Sequence, residues 1–325
     1  MASPFDGYEV EARMRPEAQE WAFDLDRVLS SVVALEARVA ADAFTAQSLG
    51  VERIGNATVL NASGLVLTMG YLVMEAEEVV LTRNDGARVP AHVLGVDPVT
   101  GFGLAQALEP LELPALPLGD SRKLKGGARV IIAGAGGRAH AADGRVLTRM
   151  RFAGYWEYLL EDAIMTGPAH PHWSGAALVD ESGALVGAGS LSLQGQTRDG
   201  EAAPLNMFVP SELLPPILDD LASGRPAHPP RPWLGVLAQD FRDHVVLVGV
   251  NSRGPAARAE LRAGDIVLAV ADTTVSDLGD FYTQLWAQGP AGAVIPLRIQ
   301  REGDVFDLEI RSADRTTMLK RPKLN

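Results

Sequence analysis

The chain has 325 residues, with 41 acidic side chains against 29 basic ones, a formal net charge of −12 and no cysteine. The acidic balance, without a Lys/Arg cluster of useful length, argues against a nucleic-acid surface, and the missing cysteines exclude disulfides, thiolate metal sites and a cysteine nucleophile. Hydrophobic residues at 47%, with 33 glycines and 21 prolines spread along the chain, describe a folded, mainly β protein of two or three domains.

No apolar run approaches the roughly 18 residues of a membrane-spanning helix, and Asp6, Glu9, Glu11 and Arg13 stand where a secretory signal needs an apolar core. The chain as written is therefore expected in the cytoplasm, or in the periplasm if an export signal has been removed. In chain order, residues 1–30 form an N-terminal segment in which Pro16 opens a helix with Trp21, Leu25 and Val28 on one face. Near Ser30-Ser31 the period changes: Val33, Leu35, Ala37 and Val39 alternate with Ala34, Glu36, Arg38 and Ala40, as in a strand. A hairpin follows, turning at Asn61-Ala62-Ser63-Gly64 into Leu65-Val66-Leu67-Thr68. Further strands are expected at residues 78–83, 88–96, 128–133, 144–150, 156–162, 177–179 and 185–188. Short strands at this spacing imply a sandwich or barrel rather than a parallel sheet.

Ser211 is expected to cap a helix through Leu213, Leu214, Ile217, Leu218 and Leu221 that ends at Gly224, although Pro215 and Pro216 interrupt it. Residues 225–232, Arg-Pro-Ala-His-Pro-Pro-Arg-Pro, suit an extended linker, so a domain boundary falls there. Residues 31–224 then form one domain and 233–312 a second, with a helix from Asp277 to Gln288, and residues 313–325 make a polar basic tail.

The order of motifs resembles the HtrA/Deg family, which implies a trypsin-like double β-barrel followed by one PDZ domain. Pro171-His172-Trp173-Ser174-Gly175-Ala176-Ala177-Leu178-Val179 looks like the nucleophile loop and the strand after it. Ser63 to Thr68 resembles the strand leading to the catalytic histidine, and Asp97-Pro98-Val99-Thr100 the run before the catalytic aspartate. Arg231-Pro232-Trp233-Leu234-Gly235-Val236 is similar to the PDZ carboxylate-binding loop, and Gly254 to Leu268 follows the helix-turn-strand signature of that domain.

Departures from the family pattern shape the functional expectation. Tyr71 stands at the histidine position and Gly103 at the aspartate position, in a stretch two residues longer than usual, so only Ser174 of the triad is retained. A neutral phenol cannot take the serine proton at pH 7, and glycine cannot orient a base. Loss of the base alone costs on the order of 10⁶ in turnover in a dissected triad. His172-Trp173 also replaces a Gly-Asn pair, which restricts the N–H groups meant for an oxyanion. Two other histidines flank Pro171 beside Ser174: His170 and His172 project to one side of an extended segment and offer a rebuilt Ser-His pair or a two-histidine metal site. A plain loop role is the simpler account, because no acidic orienter or third ligand is evident nearby. The cluster Glu75, Glu77 and Glu78 reads as a solvated turn.

Three functions follow. The first is a pseudoprotease that acts as a scaffold, adaptor or regulator through its PDZ domain. The second is a weak or unconventional serine hydrolase using Ser174 with His170 or His172. The third is a metal- or ligand-binding protein that uses the retired cleft. No cofactor or metal is expected under the first. Its partner is a protein C-terminus or extended peptide, received by the backbone of Trp233, Leu234, Gly235 and Val236 and lined by Phe281 and Leu285. The resemblance also implies a homotrimer built on N-terminal aromatics, here Phe5, Tyr8, Trp21 and Phe23.

Overall fold

The computed structural model describes residues 4, 5, 7–196 and 199–320. Residues 321–325 of the expected tail lie outside them. The chain divides into two compact units, the first running to Met150 and resuming over Asp162–Ala227, the second made of Arg151–Glu161 with His228–Lys320.

In the first unit, strands β1 (Val32–Val39), β2 (Glu52–Val59), β3 (Leu65–Met69), β4 (Ala76–Thr82), β5 (Arg88–Val96) and β6 (Phe102–Ala107) close a barrel in the order β1-β2-β3-β6-β5-β4. Strands β7 (Arg129–Ala133), β8 (Ala141–Gly154), β9 (Tyr158–Gly167), β10 (Ala177–Val179), β11 (Leu185–Gln196) and β12 (Ala202–Pro210) close another with the same connectivity, β7-β8-β9-β12-β11-β10. This is the mainly β double barrel that the resemblance implied. Alternation in β1 buries Val33, Leu35, Ala37 and Val39, while Arg38 faces water. The β2–β3 hairpin turns as expected, because the Asn61 side-chain oxygen accepts from the Ser63 and Leu65 amides.

Two helices differ from expectation. Helix α1 spans only Leu25–Ser30, started by the Asp24 carboxylate accepting from the Arg27 amide. Trp21 lies outside it, packed on Phe23 under the Arg129 guanidinium. A short α2 (Ala46–Leu49) and α3 (Gly70–Val73) follow. Toward the end of the unit, Pro215 and Pro216 restrict the expected long helix to α4 (Leu218–Ala222), preceded by a single 3₁₀ turn. The Ser211 hydroxyl donates to the Gly119 carbonyl instead of capping.

The second unit is a sheet of β13 (Val236–Phe241), β14 (His244–Val250), β15 (Ile266–Val270), β17 (Val294–Arg301) and β18 (Asp304–Arg311) in that order, with β16 (Thr273–Thr274) on β15. Helix α5 (Pro255–Arg258) begins with proline in its first turn, where an N–H has no partner to lose. Helix α6 (Leu278–Ala287) is capped by Asp277 and buries Phe281 and Leu285 against Leu234, Val236, Leu247 and Ile295. Trp233 and Ala313 exchange both backbone hydrogen bonds, so the segment after residue 312 joins the domain before a 3₁₀ turn at Arg315–Met318. Residues Arg151–Glu161, the turn of β8 and β9, also belong to this unit. No helix among the described residues is long and apolar enough to cross a membrane.

Candidate active site and carboxylate-binding loop

The nucleophile turn is held by one buried strand residue that sequence reasoning missed. Asn56, in β2, donates its backbone N–H to the Ser174 carbonyl at 2.8 Å and its side-chain amide to the carbonyls of His172 and Ser174, while its side-chain oxygen accepts from the Ala135 amide. Gly175 turns the chain at φ +71°, and a Cβ there would fall 2.0 Å from the Asn56 carbonyl oxygen, so only glycine fits. The turn therefore still presents Ser174.

What meets the Ser174 hydroxyl is Tyr71, on α3. The two oxygens lie 2.7 Å apart, and the phenol also reaches the Ser190 carbonyl at 3.0 Å. A phenol carries one proton. With that proton donated to the carbonyl, which can only accept, Tyr71 must accept from Ser174. Burial moves the phenol pKa well above its ordinary value, against the opposing effect of the Ser174 hydrogen bond, so the phenolate that would serve as a base is inaccessible near neutrality. Tyr71 is fixed in place from behind: Arg53 donates to the Tyr71 and Met74 carbonyls and to Thr45 Oγ1, and Thr45 in turn donates to Glu75. Glu75, expected in a solvated turn, is 7% exposed and also accepts the Phe44 and Thr45 amides.

Gly103 lies in β6, paired with Thr68. A Cβ at this position would stand 2.9 Å from Val73 Cγ2 and 3.1 Å from Gly70 Cα. The space for an orienting carboxylate is thus filled by α3 itself.

His170 and His172 are not brought to Ser174. The His170 ring is buried and both nitrogens are engaged: Nε2 lies 3.1 Å from the His140 carbonyl, and Nδ1 accepts the His172 amide at 3.1 Å. These partners fix the neutral tautomer with its proton on Nε2. Burial depresses its pKa to about 4. The second bond also removes a donor from the oxyanion position, because the N–H two residues before the serine points at an imidazole. The His172 ring stacks on Phe5 at 4.3 Å and meets Tyr8 edge-on. Among the described residues, no group of three or more His, Asp or Glu side chains is placed to hold a metal.

In the second unit, the loop predicted to take a carboxylate does hold one. The amides of Leu234, Gly235 and Val236 all donate to Glu157, at 3.1, 2.6 and 3.0 Å. Gly235 adopts φ +80°, which turns successive N–H groups inward. The Ala238 amide of β13 donates to the Tyr155 carbonyl, and the Tyr282 hydroxyl of α6 donates to the Gly154 carbonyl while accepting the Glu157 amide. Burial outweighs these donors and pushes the Glu157 pKa up to about 7. Phe281 and Leu285 are fully buried core residues beneath the helix face, and Trp233 is nearly so. Glu157 was missed in the sequence. Its one local signal is an aromatic-rich turn, Phe152-Ala153-Gly154-Tyr155-Trp156-Glu157-Tyr158, unusual for a hairpin tip that faces water.

Comparison with known proteins places these two sites in familiar domains. Residues 55–187 match the model of a trypsin-like peptidase domain, and residues 232–311 that of a PDZ domain. Curated relatives include a probable periplasmic serine endoprotease DegP-like from Halomonas elongata, 26% identical over 278 residues, covering 80% of this chain and 56% of the relative. A protein of the same description from Pseudomonas fulva is 27% identical over 280 residues, covering 80% and 55%. The chain thus spans about half the length of the curated relatives it matches. Among solved structures, the HtrA-type protease AlgW with a decapeptide superposes with a TM-score of 0.55 at 22% identity, over 92% of this chain and 98% of that one. The serine endoprotease from Yersinia pestis does so at 0.50 and 20% identity, over 89% and 95%.

Proposed function

We propose that this HtrA/DegP-like chain, a trypsin-like domain followed by a PDZ domain, is proteolytically inactive and serves as a peptide-binding scaffold, adaptor or regulator. The observation that carries the proposal is the Tyr71–Ser174 contact, in which the group at the base position is a neutral phenol, its pKa raised by desolvation, that accepts a hydrogen bond from the serine hydroxyl and cannot remove its proton. The filled space at Gly103 and the engaged His172 amide support it. Casein turnover by the full chain is the test. None that depends on Ser174 is expected, and turnover abolished by Ser174→Ala overturns the proposal.

The PDZ domain supports binding of a protein C-terminus or extended peptide, through the amides of residues 234–236 and strand addition on β13. Affinity is expected to be about micromolar, because an extended ligand is ordered on binding. The relatives described as periplasmic support a periplasmic location for this chain too. A homotrimer built on the N-terminal segment is the assembly the family resemblance suggests. Phe5 and Trp21 are already buried within their own unit, which leaves Tyr8, 37% exposed, and the half-buried Phe23 to meet a neighbour. Light scattering that gives a monomer mass at micromolar concentration removes the trimer.

A further inference from the structure

We infer that the turn of residues 151–161 is a built-in ligand of the PDZ groove, with the Glu157 carboxylate standing in for the terminal carboxylate of an incoming peptide. The inference rests on the groove reading above and adds its regulation: the site is occupied from within and opens only when this turn leaves.

The contacts reproduce ligand binding group by group. Three consecutive amides, from Leu234 to Val236, converge on one carboxylate, which is the arrangement that captures a free C-terminus. Two residues earlier, the Tyr155 carbonyl takes the Ala238 amide of β13, the strand an extended peptide would pair with. From the other wall, Tyr282 of α6 bridges the turn, donating to Gly154 and accepting from Glu157. Arg151 donates to the Gly279 carbonyl in the first turn of the same helix and to Thr283 Oγ1 one turn further on. Ala153 and Leu159 pack against the apolar cluster of Val236, Phe281 and Leu285. Glu157 itself sits at φ +60°, a conformation that non-glycine residues rarely adopt without compensation. Its three N–H partners supply that compensation.

An intramolecular ligand acts at high effective concentration, so an external peptide binds only in proportion to the fraction of molecules in which the turn is undocked. The turn thereby sets a threshold on partner affinity. Partners of the class selected are those that present a free carboxylate and apolar side chains well enough to displace it.

Two readouts on the full chain test the inference. Hydrogen exchange of the Leu234, Gly235 and Val236 amides is expected to be slow in the native protein and about tenfold faster in Glu157→Ala. Titration with labelled decapeptides ending in Val, Leu or Phe is expected to show about tenfold tighter binding by Glu157→Ala, lost when the peptide terminus is amidated. Tyr282→Phe leaves the carboxylate in place but unties the turn, and should shift both readouts in the same direction by a smaller factor. This variant carries the test if Glu157→Ala does not fold. Exchange and affinity unchanged in both variants overturn the inference. Faster exchange with no peptide bound by any variant supports the self-ligand and overturns the peptide-binding reading instead.

Discussion

The turn that presents Ser174 and the loop that aims the amides around Gly235 are both formed, but they differ in what occupies their functional groups. In the cleft the chemistry depends on side-chain identity, and under the proposed function two positions withhold it: Tyr71 satisfies the serine hydroxyl, and Val73 and Gly70 fill the space in front of Gly103. In the groove the working groups are backbone amides, which substitution does not delete, and they are engaged by Glu157 instead. Side-chain chemistry can be lost by point replacement. Backbone recognition has to be covered rather than removed.

The two sites differ most in stability at Asn56. This fully buried side chain donates to two carbonyls of the nucleophile turn and accepts the Ala135 amide from the loop after β7. Asn56→Ala removes three hydrogen bonds, although the Ser174 carbonyl keeps the residue-56 backbone N–H, and is expected to cost about 3 kcal/mol of stability, at roughly 1 kcal/mol for each bond lost, read by urea denaturation. No change of similar size is expected from groove variants, whose contacts lie partly at the surface. A cost below about 1 kcal/mol would show that water replaces the asparagine freely.

The groove should respond to pH, unlike the cleft. The Glu157 carboxyl rises from an ordinary 4.5 to about 7 when docked, through burial, and this is opposed by the three amides and by the charge of Arg315. Tyr282 from α6 faces it, with Asp240 of β13 behind that tyrosine and the Arg151–Glu161 pair on the turn itself. A carboxyl whose docked value exceeds its free value takes up a proton on docking. Self-docking is therefore fully favoured below about pH 4.5 and weakens as pH rises through about 7. The affinity of the full chain for a C-terminal peptide should increase about tenfold between pH 5.5 and 8, and Glu157→Ala should flatten the profile. An increase toward acid in the native protein would reverse the assignment.

The smallest effect expected is that of Tyr71→Phe. It removes the phenol shared by Ser174 Oγ and the Ser190 carbonyl and should destabilise by about 1 kcal/mol, measured by thermal unfolding, with no change in hydrolysis. A gain in Ser174-dependent hydrolysis would mean that the phenol restrains a nucleophile that another group can activate.

How far the sequence carried these conclusions follows from the range of each interaction. The barrels were legible because alternation and turn residues are local: the Asn61 turn and the burial of Val33, Leu35, Ala37 and Val39 are written within a few residues. Strand β6, Phe-Gly-Leu-Ala-Gln-Ala, was not anticipated, since it is buried almost throughout and lacks both alternation and β-branched residues. Strand β12, which opens Ala-Ala-Pro, was missed as well. The expected first helix shrank to Leu25–Ser30 because Trp21 found Phe23 and Arg129 instead of a helical face. At the site, Tyr71, Gly103 and Ser174 were readable as replacements within a recognised pattern. Asn56 and Glu157 were not: their partners lie 79 to 118 and 77 to 79 residues away, and nothing local marks either side chain as a ligand of backbone groups.

The most direct measurement of the central claim is labelling of the full chain by a fluorophosphonate probe, with the adduct mapped by mass spectrometry. A serine whose hydroxyl, among the described residues, meets a neutral phenol and no imidazole should remain unlabelled at pH 7.5 under conditions that saturate an active trypsin-fold protease. An adduct on Ser174, absent in Ser174→Ala, would contradict the account.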